Sequence, residues 1–229
     1  MIEQLRGRPL ADVLRDGALA IDGLDRLVHQ PDESPTEPMA MPAGASNSVL
    51  QSRGGYLPSL ASATAYNASG AIASDSLSLA RWWRAFCAGE IVSQASLTEM
   101  STFKPAPHLE GYGLGLYNPA KGYGPAFGHT GQLPGYMSWA ACLPEDEAVI
   151  VVLTNHEVDD GHLAFSLTQE RCRTVRRQRD HHPQRVHSRR NRSTTTTRVE
   201  TKLVRSLESD RWLFASVAVA PMGAIQCRS

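Results

Sequence analysis

The feature that most restricts how this chain folds is Ala148-Val149-Ile150-Val151-Val152-Leu153, six apolar residues without a polar break. A half-buried strand alternates apolar and polar side chains, so a run that is apolar at both parities predicts a central strand covered on both sides. Tyr136 to Leu143 reads as a second strand, and Pro144-Glu145-Asp146-Glu147 between them reads as a turn, which makes Tyr136–Thr154 a hairpin. Helices are expected to lie over it. Just upstream, Ala126-Phe127-Gly128-His129-Thr130-Gly131-Gln132-Leu133-Pro134-Gly135 reads as a strand entering a site, its glycines letting another backbone or a ligand come close.

Helical spacing appears in two places. Leu10, Val13 and Leu14 fall on one face after Gly7-Arg8-Pro9, with proline at the first helical position. Leu79, Trp83 and Phe86 follow Ser74 as N-cap and Asp75 at the positive end of the helix, and Gly89 ends it. Spacing favours core packing over a ligand platform for Trp82, Trp83 and Phe86. Ser93 caps a second short helix through Leu97 and Met100, and Gly111-Tyr112-Gly113-Leu114-Gly115-Leu116-Tyr117 suits a strand with one face approached closely by backbone. From His29 to Ser62 the sequence reads as an irregular excursion, and a narrow apolar stripe suggests a helix from about Asp160.

Charge divides the chain. Residues 1–160 hold 9 Lys/Arg against 18 Asp/Glu, and residues 161–229 hold 14 against 5, so an acidic body carries a basic appendage. Arg171 to Arg192 contains nine arginines and one acid, followed by a Ser-Thr run. The reading is a folded domain over 1–165 and a basic, low-complexity, disordered tail over 166–229. Two explanations of that tail stay open: a segment that binds an anionic partner, and the product of a shifted reading frame. Aromatic interleaving is missing, so specific nucleic-acid recognition is not expected.

Cys87, Cys142, Cys172 and Cys227 form no Cys-x-x-Cys pair, and reduced, buried thiols are expected. Neither the loop with His156, Glu157, Asp159, Asp160 and His162 nor the arginine-rich run with His181, His182 and His187 has metal-ligand spacing, so no metal and no cofactor is assigned. The longest apolar run, Trp212 to Ile225, contains Pro221 and is too short to span a membrane. Met1-Ile2-Glu3-Gln4-Leu5-Arg6 shows no export signal, and the chain as written is expected in the cytosol.

Four pieces, in order, carry a family resemblance: Gly7-Arg8-Pro9-Leu10-Ala11-Asp12-Val13-Leu14, Ala68-Ser69-Gly70-Ala71-Ile72-Ala73-Ser74-Asp75, Tyr112-Gly113-Leu114-Gly115, and His129-Thr130-Gly131 with its hairpin. Over about residues 2–155 the chain resembles the C-terminal part of the serine β-lactamase-related family of class C β-lactamases, D-alanyl-D-alanine carboxypeptidases and related esterases. The resemblance implies a partial β-lactamase-like α/β (α+β) fold, a mostly antiparallel sheet flanked by helices. It also implies acyl transfer through a serine nucleophile. His129, Thr130 and Gly131 would then border the acyl pocket, and the backbone of Gln132 would supply an oxyanion-hole N–H.

The family's Ser-x-x-Lys and Tyr-x-Asn motifs are absent, and no tyrosine has asparagine two residues later. Ser101-Thr102-Phe103-Lys104 matches Ser-x-x-Lys literally, but it stands after the helices, and Pro105 and Pro107 prevent a helix from presenting Ser and Lys one turn apart. The expected state is a truncated β-lactamase-related hydrolase, inactive alone. It would take a small-molecule substrate (a β-lactam, a D-Ala-D-Ala peptide or an ester) once completed by a missing N-terminal part. Family relatives are commonly periplasmic or secreted. An open sheet edge would leave it prone to self-association. The competing readings are a non-catalytic interaction module and a reading frame without independent function.

Overall fold

The computed structural model describes residues 1–30, 32–37, 39–40, 64–106, 109–120, 124–133, 135–155, 173, 177, 198–205 and 212–221, with the backbone alone for 109, 110, 198–205 and 212–221. The elements begin with two short helices, α1 (Ile2–Arg6) and α2 (Leu10–Arg15). Pro9 is the N-cap of α2, one position earlier than the sequence pattern predicts. A two-residue strand, β1 (Val28–His29), pairs antiparallel with β2 (Ile72–Ala73). Helices α3 (Ser76–Cys87) and α4 (Gln94–Met100) follow, then the small antiparallel pair β3 (Lys104–Ala106) and β4 (Leu109–Tyr112). The main sheet contains β5 (Phe127–Leu133), β6 (Tyr136–Leu143), β7 (Ala148–Thr154), β8 (Arg198–Arg205) and β9 (Trp212–Pro221), in the order β5-β6-β7-β9-β8 with every pair antiparallel.

The β6–β7 hairpin forms with the expected bounds. Pro144–Asp146 makes one 3₁₀ turn, and Glu147 closes it at φ 49°. Val149, Ile150, Val151 and Val152 are fully buried, which is what an apolar run at both parities requires. Burial of each such side chain contributes about 1.5–3 kcal/mol. Directly paired residues share a face, so the register separates two cores. On one face Ala140, Cys142, Val149 and Val151 meet Ala80, Trp83, Phe86 and Cys87 of α3 and Leu97 of α4. On the other, Trp139, Ala141, Leu143, Ile150 and Val152 meet Ala120 and Ala126, and the Trp139 indole donates to the Pro119 carbonyl at 3.2 Å. Among the described residues, the segment before β5 supplies cover for that second face.

The N-cap of α3 is Asp75, not Ser74. Asp75 Oδ1 accepts from the Ser78 N–H at 2.7 Å, while Ser74 donates to the Asp75 carbonyl. A carboxylate both caps and complements the helix dipole, which explains why it takes the position. Ser93 caps α4 as expected, accepting from the Ser96 N–H. Trp82 stacks on Phe86 at 5.2 Å, its indole donating to the Ala18 carbonyl, and Trp83 sits edge-on to both rings, in keeping with a packing role.

Two expectations are corrected. Disorder throughout 166–229 does not hold for Arg198–Arg205 and Trp212–Pro221, which form β8 and β9. Arginine density upstream dominates the composition of the tail, whereas Trp212-Leu213-Phe214-Ala215-Ser216-Val217-Ala218-Val219-Ala220 is apolar and suits a strand beside β7. The Val149↔Ala220 to Thr154↔Ala215 register fills the side of β7 left open by β6. Second, Cys87 and Cys142 are not separate thiols but a disulfide between α3 and β6, with Cα atoms 6.2 Å apart. Fifty-five residues of separation hid the pair, and packing of α3 on the sheet creates it. The suggested helix near Asp160, the histidine-bearing loops and most of the 29–62 excursion lie outside the described residues.

Candidate functional site

The sequence-predicted residues all fall on β5, at one edge of the main sheet. The register is His129↔Ala140, Thr130↔Trp139, Gly131↔Ser138 and Gln132↔Met137. His129 thus starts from the face of α3, and Thr130 from the opposite face. Gly128 explains how β5 can lie where it does. A Cβ there would run into the carbonyl oxygen of Ala140 and come within 2.8 Å of the Ala141 Cβ. It is the neighbouring strand, and not a ligand, that requires this glycine. A Cβ on Gly131 would meet the Ser138 hydroxyl at 2.5 Å.

The outer edge of β5 is partly occupied. Tyr117 forms a two-way bridge with Gly128, its N–H donating to the Gly128 carbonyl at 3.1 Å and its carbonyl accepting from the Gly128 N–H at 2.9 Å. Tyr117 also bridges Tyr112 at the end of β4. The turn between these tyrosines depends on Gly113, where a Cβ would strike the Met100 carbonyl oxygen, and is held by the Gly113 N–H donating to the Leu116 carbonyl. Close backbone approach was therefore the correct meaning of the glycine alternation, although the strand ends at Tyr112 and does not run to Tyr117.

These contacts bring four polar side chains together. Tyr112 Oη lies 2.9 Å from His129 Nε2, and Tyr117 Oη lies 2.7 Å from Thr130 Oγ1. His129 Nδ1 is 2.5 Å from the Thr130 carbonyl oxygen. The two phenol rings stack at 6.1 Å, and each stands edge-on to the imidazole, at 5.9 Å for Tyr112 and 5.2 Å for Tyr117. His129, Thr130 and Gln132 are exposed, and Gly131 is half-buried. Burial raises the pKa of Tyr117, against hydrogen bonds from Thr130 that lower it. Tyr117 therefore acts as a neutral hydroxyl. Tyr136, at the start of β6, is also raised by burial, and its hydroxyl donates to the Ala40 carbonyl at 2.9 Å.

Tyr112 and Tyr117 are the members that sequence reasoning missed. The Gly-Tyr-Gly pattern flagged the strand but not the side chain, and the Tyr112–His129 partnership spans 17 residues with no local periodicity. The literal Ser-x-x-Lys at 101–104 has the geometry its prolines predict. Ser101 ends α4 with its hydroxyl directed at the Leu97 carbonyl, 2.9 Å away, while Lys104 opens β3. No continuous helix presents the two together. Among the described residues no group of three or more His, Cys, Asp or Glu is placed to hold a metal ion.

A separate open pocket of about 450 Å³ lies at the start of α3, lined by Asp25, Arg26, Asp75 and Arg81 among others, and contains none of the β5 residues.

The family model described as Beta-lactamase matches residues 1–171, three quarters of the sequence. This chain belongs to the beta-lactamase family. Solved structures agree in fold with this beta-lactamase-family chain. D-amino acid amidase from Ochrobactrum anthropi SV3, complexed with L-phenylalanine amide, is 22% identical with a TM-score of 0.56, over 78% of this chain and 54% of that one. The same amidase complexed with D-phenylalanine gives 22% identity and a TM-score of 0.58, over 77% and 55%. The family chain described here thus spans a little over half the length of these solved relatives.

Proposed function

We propose that the β5 edge forms the His-Thr-Gly wall of an acyl-transfer site in a β-lactamase-related serine hydrolase. The observation that carries this reading is the Tyr112–His129–Thr130–Tyr117 cluster on an accessible sheet edge. Such a wall supplies donors to a substrate carboxylate or to the oxygen that becomes negative during acyl transfer. His129 and Thr130 fill the side-chain roles, and the backbone of Gln132 the oxyanion role. The substrate class is a β-lactam, a D-Ala-D-Ala peptide or an ester. An amide of a D-amino acid joins this list because the solved relatives are D-amino acid amidases.

Among the described residues no helix presents a Ser-x-x-Lys pair, and the sequence contains no Tyr-x-Asn motif. The chain by itself therefore carries one wall of the site and does not complete turnover. Incubation with a fluorescent penicillin and with a fluorophosphonate, followed by peptide mapping, tests this. The expected result is no stoichiometric serine adduct. An adduct on Ser101 would show that the strand-bound Lys104 can serve a nucleophile after all, and the reading of an incomplete site would fail.

A further inference from the structure

The two nitrogens of His129 have different neighbours. Nδ1 faces the Thr130 carbonyl oxygen at 2.5 Å, and a carbonyl can only accept, so Nδ1 carries a proton. In the neutral ring Nε2 then holds a lone pair. The group 2.9 Å from it is the Tyr112 hydroxyl, which has a proton to give. Tyr117 repeats the arrangement one residue along, its hydroxyl 2.7 Å from Thr130 Oγ1. The stacked phenols thus address two successive side chains of β5, one hydroxyl each.

From this geometry we infer that Tyr112 is a positioning residue for His129. It holds the neutral imidazole as the Nδ1–H tautomer, with Nε2 turned to the phenol oxygen. A histidine left to solvent has no fixed tautomer or ring orientation, and its second hydrogen bond is what selects them. Gly113 and the Tyr117 bridge place Tyr112 for the task, because the tight approach of Gly113 to Met100, just after β4, sets the turn that leaves the Tyr112 ring beside His129. A substrate oxygen that reaches Nε2 must therefore displace the Tyr112 hydroxyl or be bound by it. The relevance of this to acyl transfer rests on the hydrolase reading; the tautomer itself does not.

Nitrogen-15 NMR of histidine-labelled protein at alkaline pH tests the inference, with His129→Gln used to assign the signals. Wild type is expected to show Nδ1 in the protonated range and Nε2 in the unprotonated range. Tyr112→Phe keeps the ring and its packing but removes the hydroxyl. Its His129 signals should move toward a tautomer-averaged pair, while Tyr117→Phe should leave them in place. An Nε2-protonated wild type, or a Tyr112→Phe spectrum identical to wild type, would overturn the proposal. If Tyr112→Phe does not fold, the wild-type tautomer decides. None of these readouts needs an acyl adduct. Labelling of Ser101 by penicillin can therefore refute the reading of an incomplete site while the tautomer stands, or the reverse.

Discussion

Breaking the Cys87–Cys142 bridge has a cost that can be worked from its place in the chain. The bridge joins residues 55 apart, and both cysteines are essentially inaccessible, at 1% and 0% exposure. Closing a loop of that length in the unfolded chain removes entropy worth about 4 kcal/mol at room temperature. Whole domains of this kind are stable by only about 5–15 kcal/mol, so the loss is a large share. For a chain of this length each kcal/mol moves the midpoint by about 2–4 °C, which gives a fall of roughly 8–16 °C.

The assay is calorimetric melting of wild type and of Cys87→Ala/Cys142→Ala, each with and without reductant. Wild type is expected to lose its advantage when reduced, and the double variant to be insensitive. Peptide mapping of the denatured, unreduced chain should find Cys87 and Cys142 in one linked pair. Unlinked Cys87 and Cys142, or equal midpoints for wild type and variant, would show that α3 and β6 are held by packing alone.

Three further outcomes follow from particular contacts. Gly128→Ala should destabilise by about 1–3 kcal/mol, because the added methyl meets backbone of β6 that cannot turn aside; Gly131→Ala should cost less, since the Ser138 hydroxyl can rotate, and urea melts that rank them the other way would refute the argument. Removing residues 198–229 strips β9 and β8 from β7 and exposes its ladder groups, so light scattering should show association, and an unchanged monomer would mean that β7 does not need β9. Burial alone would raise the Glu33 pKa, but Arg15 at 2.5 and 2.8 Å, the His29 N–H and the Arg15 charge outweigh it, and the net shift is downward. A lowered carboxylate pKa contributes stability above the unfolded value and loses it as pH falls through the folded one. Glu33→Gln should therefore cost about 1.5–3 kcal/mol at neutral pH and progressively less as pH falls below the ordinary glutamate range; a pH-independent difference would assign the effect to packing.

What was legible in the sequence was local. The β6–β7 hairpin could be bounded to the residue because an apolar run, a proline-led turn and a second apolar run are all contained in 19 residues. Ser93 and the helix after it were equally self-contained. The α3 cap was misplaced by one residue because Ser74 and Asp75 both qualify on type, and only the backbone conformation at Asp75 decides between them. On β5 the candidate residues could be placed on one strand. Their partners could not, since Tyr112 reaches His129 through a turn set by the approach of Gly113 to Met100.

The same distinction explains the largest disagreement. The sequence of β7 demands cover on both faces and partners on both sides, and the hairpin supplies only one partner. Its other partner, β9, begins 58 residues after β7 ends, beyond the arginine-rich stretch that made the whole tail look unfoldable. The demand was visible at residues 148–153 and the means of meeting it at 212–220, but joining them requires closing a long loop, which no local pattern records. The Cys87–Cys142 bridge and the β7–β9 ladder are both answers of that kind. One ties α3 to β6 and the other completes the hydrogen bonding of β7, the strand that pairs with β6 behind β5. The His129 wall is therefore shaped by residues far from it in sequence, and its geometry should loosen when either tie is cut even though no residue of the wall has changed.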